Sequence, residues 1–180
     1  MAAAPPGPVP GGVFLLEYPQ VPAFITSMKA LLRLTAVLVA TVSFAFAGTE
    51  GWLTNWEEAK AKSKAEKKPI QINLTGSDWC GWCIKLHKEV FSEQAFKDYA
   101  AANLILMEAD FPKKSELAPE LKKQNAELKK AYLNEGYPTV LLLDAEGKKL
   151  GEDIGYLKGG PEVYVKTIKE LLAKSQTAQK

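Results

Sequence analysis

A chain of 180 residues that is 47% hydrophobic and 24% charged has the make-up of a globular protein, long enough for one domain with appendages. Its 23 basic and 21 acidic side chains leave a net charge of only +2, and they are interleaved, which excludes a basic patch and a nucleic-acid partner. Two cysteines, Cys80 and Cys83, and one histidine, His87, are too few for a four-thiolate or Cys₂His₂ zinc site, which leaves only a set of all three plus a carboxylate open to zinc.

Residues 1–27 contain six of the eleven prolines, the single charge Glu17 and no Lys or Arg. They read as a low-structure extension, neither a packed element nor a targeting segment. The composition changes at Met28-Lys29-Ala30-Leu31-Leu32-Arg33, a short basic start, followed by an apolar stretch over 34–46 and the small-x-small triplet Ala45-Phe46-Ala47. Residues 28–47 therefore read as a secretory signal with its own initiator methionine, cleaved after Ala47, and residues 1–27 as the product of a start codon taken too early. The apolar run falls short of the roughly 20 residues of a membrane span. The expected location is periplasmic or secreted, with membrane contact only through the export signal; an uncleaved anchor facing outside the cytoplasm is the alternative. Removal of 1–47 leaves 21 basic and 20 acidic side chains, a nearly neutral domain.

The domain is placed at 48–174. From Gly51 a helical pattern runs through Trp52 and Trp56, one turn apart, into a solvated Ala, Lys and Glu face that Pro69 stops. Residues 70–74 read as a short buried strand, and Thr75-Gly76-Ser77-Asp78 turns the chain into a helix with Cys83, Leu86 and Val90 on one side. A new helix starts at Ser92, residues 104–110 form an apolar central strand, and 111–115 a loop. Leu117, Leu121, Leu128 and Tyr132 mark the next helix, which Gly136 ends as a left-handed cap. Strand 140–143, a turn at 144–147 and a second strand to about Ile154 make a hairpin. Pro161 opens a last helix with Tyr164, Ile168, Leu171 and Leu172 inward, and 175–180 is a flexible tail.

The chemistry concentrates in Trp79-Cys80-Gly81-Trp82-Cys83, between a strand and a helix. Unpaired N–H groups and the helix dipole favour negative charge at a helix N-terminus, so a Cys80 thiolate is stabilised there and its reactive fraction at neutral pH rises. Cys83, one turn deeper on the same face, can attack a mixed disulfide on Cys80, release the partner and close an intramolecular bond. Export suits this chemistry, since disulfides persist outside the cytosol.

The order of elements, Trp79-Cys80-Gly81-Trp82-Cys83 and Tyr137-Pro138-Thr139 together resemble the thioredoxin fold over about residues 51–172: the first looks like that family's WCxxC motif, the second like its cis-proline segment. The run Thr75-Gly76-Ser77-Asp78-Trp79-Cys80-Gly81-Trp82-Cys83 is most similar to exported bacterial thioredoxin-like domains. The resemblance implies an α/β fold with a central mixed sheet flanked by helices, Cys80 as nucleophile, Cys83 as resolving thiol and a cis Pro138 that leaves Tyr137 backbone groups free to pair with an extended substrate. Trp79, Trp82, Tyr137 and Pro138 become the expected substrate-binding residues. The sequence also departs from the family. Asn73 stands nearest the buried aspartate that thioredoxins use as a proton relay, and an amide cannot take a proton. Leu106 falls where the aspartate's lysine partner is common, so no relay residue is assigned. Gly81-Trp82 carries no histidine of the kind found between the cysteines of oxidants, and His87, one turn beyond Cys83, could add a cationic influence at low pH.

The expectation is thus an exported thiol-disulfide oxidoreductase, with the reductive or isomerising direction slightly favoured. Its partners would be protein or peptide thiols and disulfides, recharged by a membrane or soluble thiol donor, with no metal or organic cofactor. The rival from another class is a non-catalytic protein-binding or chaperone-like module on the same fold.

Overall fold

Ile70, Ile72 and Leu74 alternate with Gln71, Asn73 and Thr75, and all six are buried, which demands a strand paired on both edges and covered on both faces. The structure, a computed structural model, describes residues 51–178 together with Met1. The extension 1–27 and the signal segment 28–47 lie outside the described residues. The buried strand, β1 (Ile70–Thr75), runs parallel to β2 (Ile105–Asp110) and antiparallel to β3 (Thr139–Leu143), giving the order β2-β1-β3.

A parallel pair needs a crossover. It is supplied by α2 (Gly81–Leu86), a π-helical turn at His87–Phe91, and α3 (Gln94–Asn103). In the wider turn Val90 and Phe91 are both buried, and the Ser92 amide donates to the His87 carbonyl at 2.8 Å. Together with α5 (Gly160–Ala178), these elements cover one face of the sheet through Leu86, Val90, Phe96, Tyr164 and Ile168, packed on Val140 and Leu142. Phe91 anchors that layer, with ring centroids 5.0 Å from Trp52, 4.9 Å from Phe96 and 5.7 Å from Tyr164. The other face is covered by α1 (Trp56–Glu66) and α4 (Pro119–Tyr132), whose Ala59 and Leu128 pack on Ile70, Ile72, Leu74, Met107, Leu141 and Leu143. The result is the expected α/β arrangement, a mixed sheet between helical layers.

Several local expectations are corrected. Trp52 lies outside the first helix: Asn55 caps α1 by accepting from the Glu58 amide at 2.9 Å, and the preceding Leu53 bridges Met107 at the free edge of β2. The spacing of Trp52 and Trp56 therefore reflects two different elements. Helix α4 begins at Pro119, after Leu117, and ends at Leu133 in an extended conformation, so Gly136 (φ 139°) is part of the following loop and not its cap.

The second hairpin strand is reduced to an isolated bridge between Leu143 and Lys149. Its backbone still bonds to β3, Leu150 donating to Leu142 and Ile154 to Val140, both at 2.8 Å. Between those bonds Gly151, Glu152 and Asp153 oppose the single residue Leu141, a bulge that breaks the ladder. The hairpin turn itself stands, with the Asp144 carboxylate accepting from the Glu146 and Lys148 amides at 3.0 and 2.8 Å. At its end α5 continues through 175–178, where the Ser175 and Thr177 hydroxyls each donate at 2.8 Å to carbonyls of the last turns, Leu172 and Lys174. Among the described residues no helix is long and apolar enough to cross a membrane.

Candidate active site

At the C-terminal end of β1 the chain must reverse into α2, and Gly76 makes this possible because a Cβ there would overlap the Trp79 indole. The Cys80 amide donates back to the Gly76 carbonyl at 2.9 Å, leaving Cys80 extended (φ −87°, ψ 104°) as the N-cap of α2. The Cys83 amide donates to Cys80 Sγ at 3.2 Å, so the sulfur occupies the place where a capping oxygen normally accepts. Cys80 and Cys83 form a disulfide, their residues 7% and 4% exposed. Cys83, Leu86 and Val90, three to four residues apart and all buried, form the line along which α2 lies on the sheet.

The turn holding Cys80 is fastened to the loop after β2. Asp110 accepts from the Ser77 amide at 2.9 Å and from its hydroxyl at 2.6 Å, and Trp79 Nε1 donates to the Phe111 carbonyl at 2.7 Å. Asp78 accepts from the Lys113 and Lys114 amides at 2.9 and 2.7 Å. The Lys113 amide, then that of Lys114 and its charge, hold the Asp78 carboxyl below its usual range. The Lys113 ammonium stands 4.0 Å from the centre of the Trp79 ring.

Of the four expected substrate-binding residues, Trp79, Tyr137 and Pro138 fall together, and Trp82 makes a separate aromatic contact. Trp79, 37% exposed, meets Tyr137 edge-on at 5.6 Å, and the Tyr137–Pro138 peptide bond is cis. Trp82, 58% exposed, meets Tyr156 at 5.2 Å, with the Lys85 ammonium 5.4 and 5.2 Å from the two rings. The Tyr156 hydroxyl donates to Glu89 at 2.6 Å, a bond that also raises its pKa. Trp82, Tyr137, Pro138 and Tyr156 line one open groove of about 650 Å³, with Glu135, Glu152 and Asp153 also along it.

His87 does not join them. It lines a separate cavity of about 680 Å³ with Trp52, Phe91 and Lys97, and burial first, then the Lys97 charge, lower its pKa. The neutral imidazole is thereby favoured, against the cationic influence that the sequence left open at low pH.

Asn73 is buried as expected of its position, but it is not alone. The register places it between Val140 on β3 and Glu108 on β2, all on the face covered by α2. Burial, and then the charge of Asp110, push the Glu108 pKa up to about 7. Reading the sequence for an acid on β1 missed this one on the neighbouring strand. Glu108 and Asp110 share the parity of Leu106, and that alternation was the available signal.

A cysteine pair closing a disulfide at a helix start, beside a cis Tyr-Pro bond and on a mixed sheet between helical layers, defines the class. Residues 51–145 match the model of the thioredoxin-like family, and the chain belongs to that family. It is 41% identical over 120 residues to the disulfide bond reductase DsbH of Chlamydia pneumoniae, covering 65% of this chain and 72% of the relative. It is 28% identical over 99 residues to the thioredoxin-related protein DsbJ of the same organism, of which that stretch spans only 28%. A solved structure described as DsbH oxidoreductase superposes with a TM-score of 0.64 at 34% identity, over 77% of this chain and 98% of the other. With its CxxC pair in place, the chain is a thiol-disulfide oxidoreductase of the thioredoxin-like family.

Proposed function

We propose that the protein is an exported disulfide reductase in which Cys80 attacks and Cys83 resolves. The carrying observation is the N-cap position of Cys80, whose sulfur already accepts the Cys83 amide. In the reduced protein the same amide and the helix start favour a thiolate, the attacking species in exchange. The thiolate displaces one sulfur of a substrate disulfide, forming a Cys80 mixed disulfide. The Cys83 thiolate then attacks Cys80 Sγ, the substrate sulfur leaves with the electron pair, and the protein is oxidised as the substrate is reduced.

The groove beside Tyr137 and Pro138 suits an extended segment of a protein substrate, with Trp82 and Tyr156 as an apolar wall. The reductive direction is supported by the name of the 41% identical relative, a disulfide bond reductase. Protein disulfides are the substrates in this reading, and a thiol donor, membrane-bound or soluble, restores the dithiol. Export rests on residues 28–47 as a cleaved signal ahead of a domain that starts at 48, and a mature chain beginning at Gly48 is its expected product.

The test is reduction of insulin disulfides by the purified domain with a thiol donor. Wild type should turn over, Cys80→Ser should not, and Cys83→Ser should accumulate mixed disulfides on Cys80. Turnover by Cys80→Ser at the wild-type rate would overturn the reading, and a binding-only module would show no turnover in either form.

A further inference from the structure

Glu135, Glu152 and Asp153 line the groove that carries Trp82, Pro138 and Tyr156, and no Lys, Arg or His lines it. Residues 48–180 hold 21 basic and 20 acidic side chains, so an all-acidic lining is a local pattern and not the overflow of an acidic protein. The carboxylates come from both walls. Glu135 precedes the cis Tyr137–Pro138 bond, whereas Glu152 and Asp153 belong to the bulge after β3, just ahead of Gly155. The walls meet where Gly155 packs on Pro138: a Cβ added to Gly155 would stand 3.7 Å from the Pro138 carbonyl oxygen.

The cations nearby leave most of this charge unbalanced. Lys149 pairs with Asp153 at 3.0 Å. Lys85, over the Trp82 and Tyr156 rings, faces Glu89 at 3.9 Å, and the two charges of that pair cancel. Lys113 stands over Trp79, at the other flank of the disulfide. Glu135 and Glu152 are exposed and, among the described residues, make no ion pair.

We propose that the groove selects substrate segments that carry Lys or Arg beside the disulfide cysteine, with Glu135 and Glu152 as the specificity-determining residues. The inference deepens the exchange reaction proposed above and rests on it. The aromatic wall suits such a side chain, since the Trp82 and Tyr156 rings already hold one ammonium, that of Lys85, at 5.4 and 5.2 Å. A longer cationic side chain can lie with its apolar stem on the same rings while its head reaches the carboxylates at the rim. Charges at a rim act on encounter more than on chemistry, so the selection falls on the rate at which Cys80 meets its substrate and weakens with salt.

The test uses peptides that each carry one cysteine as a 2-thiopyridyl disulfide, with two Lys or two Glu placed either before or after it. The Cys80 thiolate of the reduced full-length protein attacks the peptide sulfur, and 2-thiopyridone leaves with the electron pair and is read by absorbance. Rates are divided by those with 2-mercaptoethanol, which removes the intrinsic reactivity of each peptide. At about 0.01 M ionic strength the Lys form should react on the order of fivefold faster than the Glu form in the placement that reaches the groove. The ratio should fall toward one at about 1 M. Glu135→Gln/Glu152→Gln should flatten the preference, and Glu135→Lys/Glu152→Lys should turn it toward the Glu peptide, a gain that misfolding cannot produce. A wild-type ratio near one at low salt in both placements overturns the proposal, a measurement that stands even if the variants do not fold. An unaltered ratio in the charge-reversed variant overturns it as well. No release from any peptide by wild type would instead remove the exchange reading on which the proposal rests.

Discussion

On the side of the sheet covered by α1 and α4, the strands present Ile70, Ile72, Leu74, Ile105, Met107, Leu141 and Leu143. On the side covered by α2 and α5, Gln71, Asn73 and Glu108 interrupt Leu106, Val140 and Leu142. The strand residues of β1 and β3 are buried on both sides, with Leu106 and Glu108 of β2 half-buried, so the difference is in what burial contributes. The apolar side gains about 25 cal/mol for each Å² it removes from water. The mixed side gives back part of that gain by desolvating groups that lack partners. The dithiol helix lies on the side that is less stable than it could be.

The largest effect should come from removing the sulfur that tops the mixed side. Cys80→Ser should bring insulin reduction to background while leaving the fold's circular dichroism unchanged. Next comes the apolar side, where Leu141→Ala should cost about 2–5 kcal/mol of unfolding free energy, read from urea titration, with exchange per folded molecule as in wild type. A Leu141 variant that stayed folded but lost exchange would erase the distinction between the two sides.

The mixed side should respond in the opposite direction. Gln71→Met fills the same space without an unpaired amide and should stabilise by about 1–2 kcal/mol in the same titration. Glu108→Gln should stabilise only at high pH. The Glu108 pKa is raised in the fold, from 4.5 to about 7, so its contribution is fully present below about pH 4.5 and is lost as pH rises through about 7. Wild type should therefore fall behind the Gln variant by about 2–3 kcal/mol between pH 4.5 and pH 9, allowing for partial exposure. Equal pH dependence of the two would place the carboxylate in water and out of the buried row.

The apolar side was legible residue by residue. Ile70, Ile72 and Leu74 and the stripe of α4 follow from period and burial alone, as does the inward set of α5 on the other side, and Cys80 and Cys83 stand out by spacing. The mixed side was not, because Leu104 to Asp110 reads as one apolar strand unless its parity is set against that of β1, and register is a property of the pair. Tyr156 and the Asp78 and Asp110 contacts were equally hidden, joining residues more than thirty positions apart. The bulge at Gly151–Asp153 shows the converse failure: the residues signal a strand, and only the backbone bonds to β3 reveal that the ladder is broken.

The smallest effect lies beyond the sheet's faces, in the turn that joins them to the disulfide. Asp78 is half-buried, and its bonds to the Lys113 and Lys114 amides tie the loop after β2 to the residues just before Cys80. Because those amides lower its pKa, the tie is complete above the ordinary carboxylate range and is released as pH falls through the lowered value. Asp78→Ala should leave the unfolding midpoint nearly unchanged, since solvent competes for both partners. What should change is local: hydrogen exchange at the Lys113 and Lys114 amides in wild type should be protected at pH 7, and the variant should lose that protection there. Below the lowered pKa the two proteins should exchange alike, since protonation does in wild type what the substitution does at any pH. Undiminished protection in the variant at pH 7 would mean that Trp79 and Asp110 hold the loop by themselves.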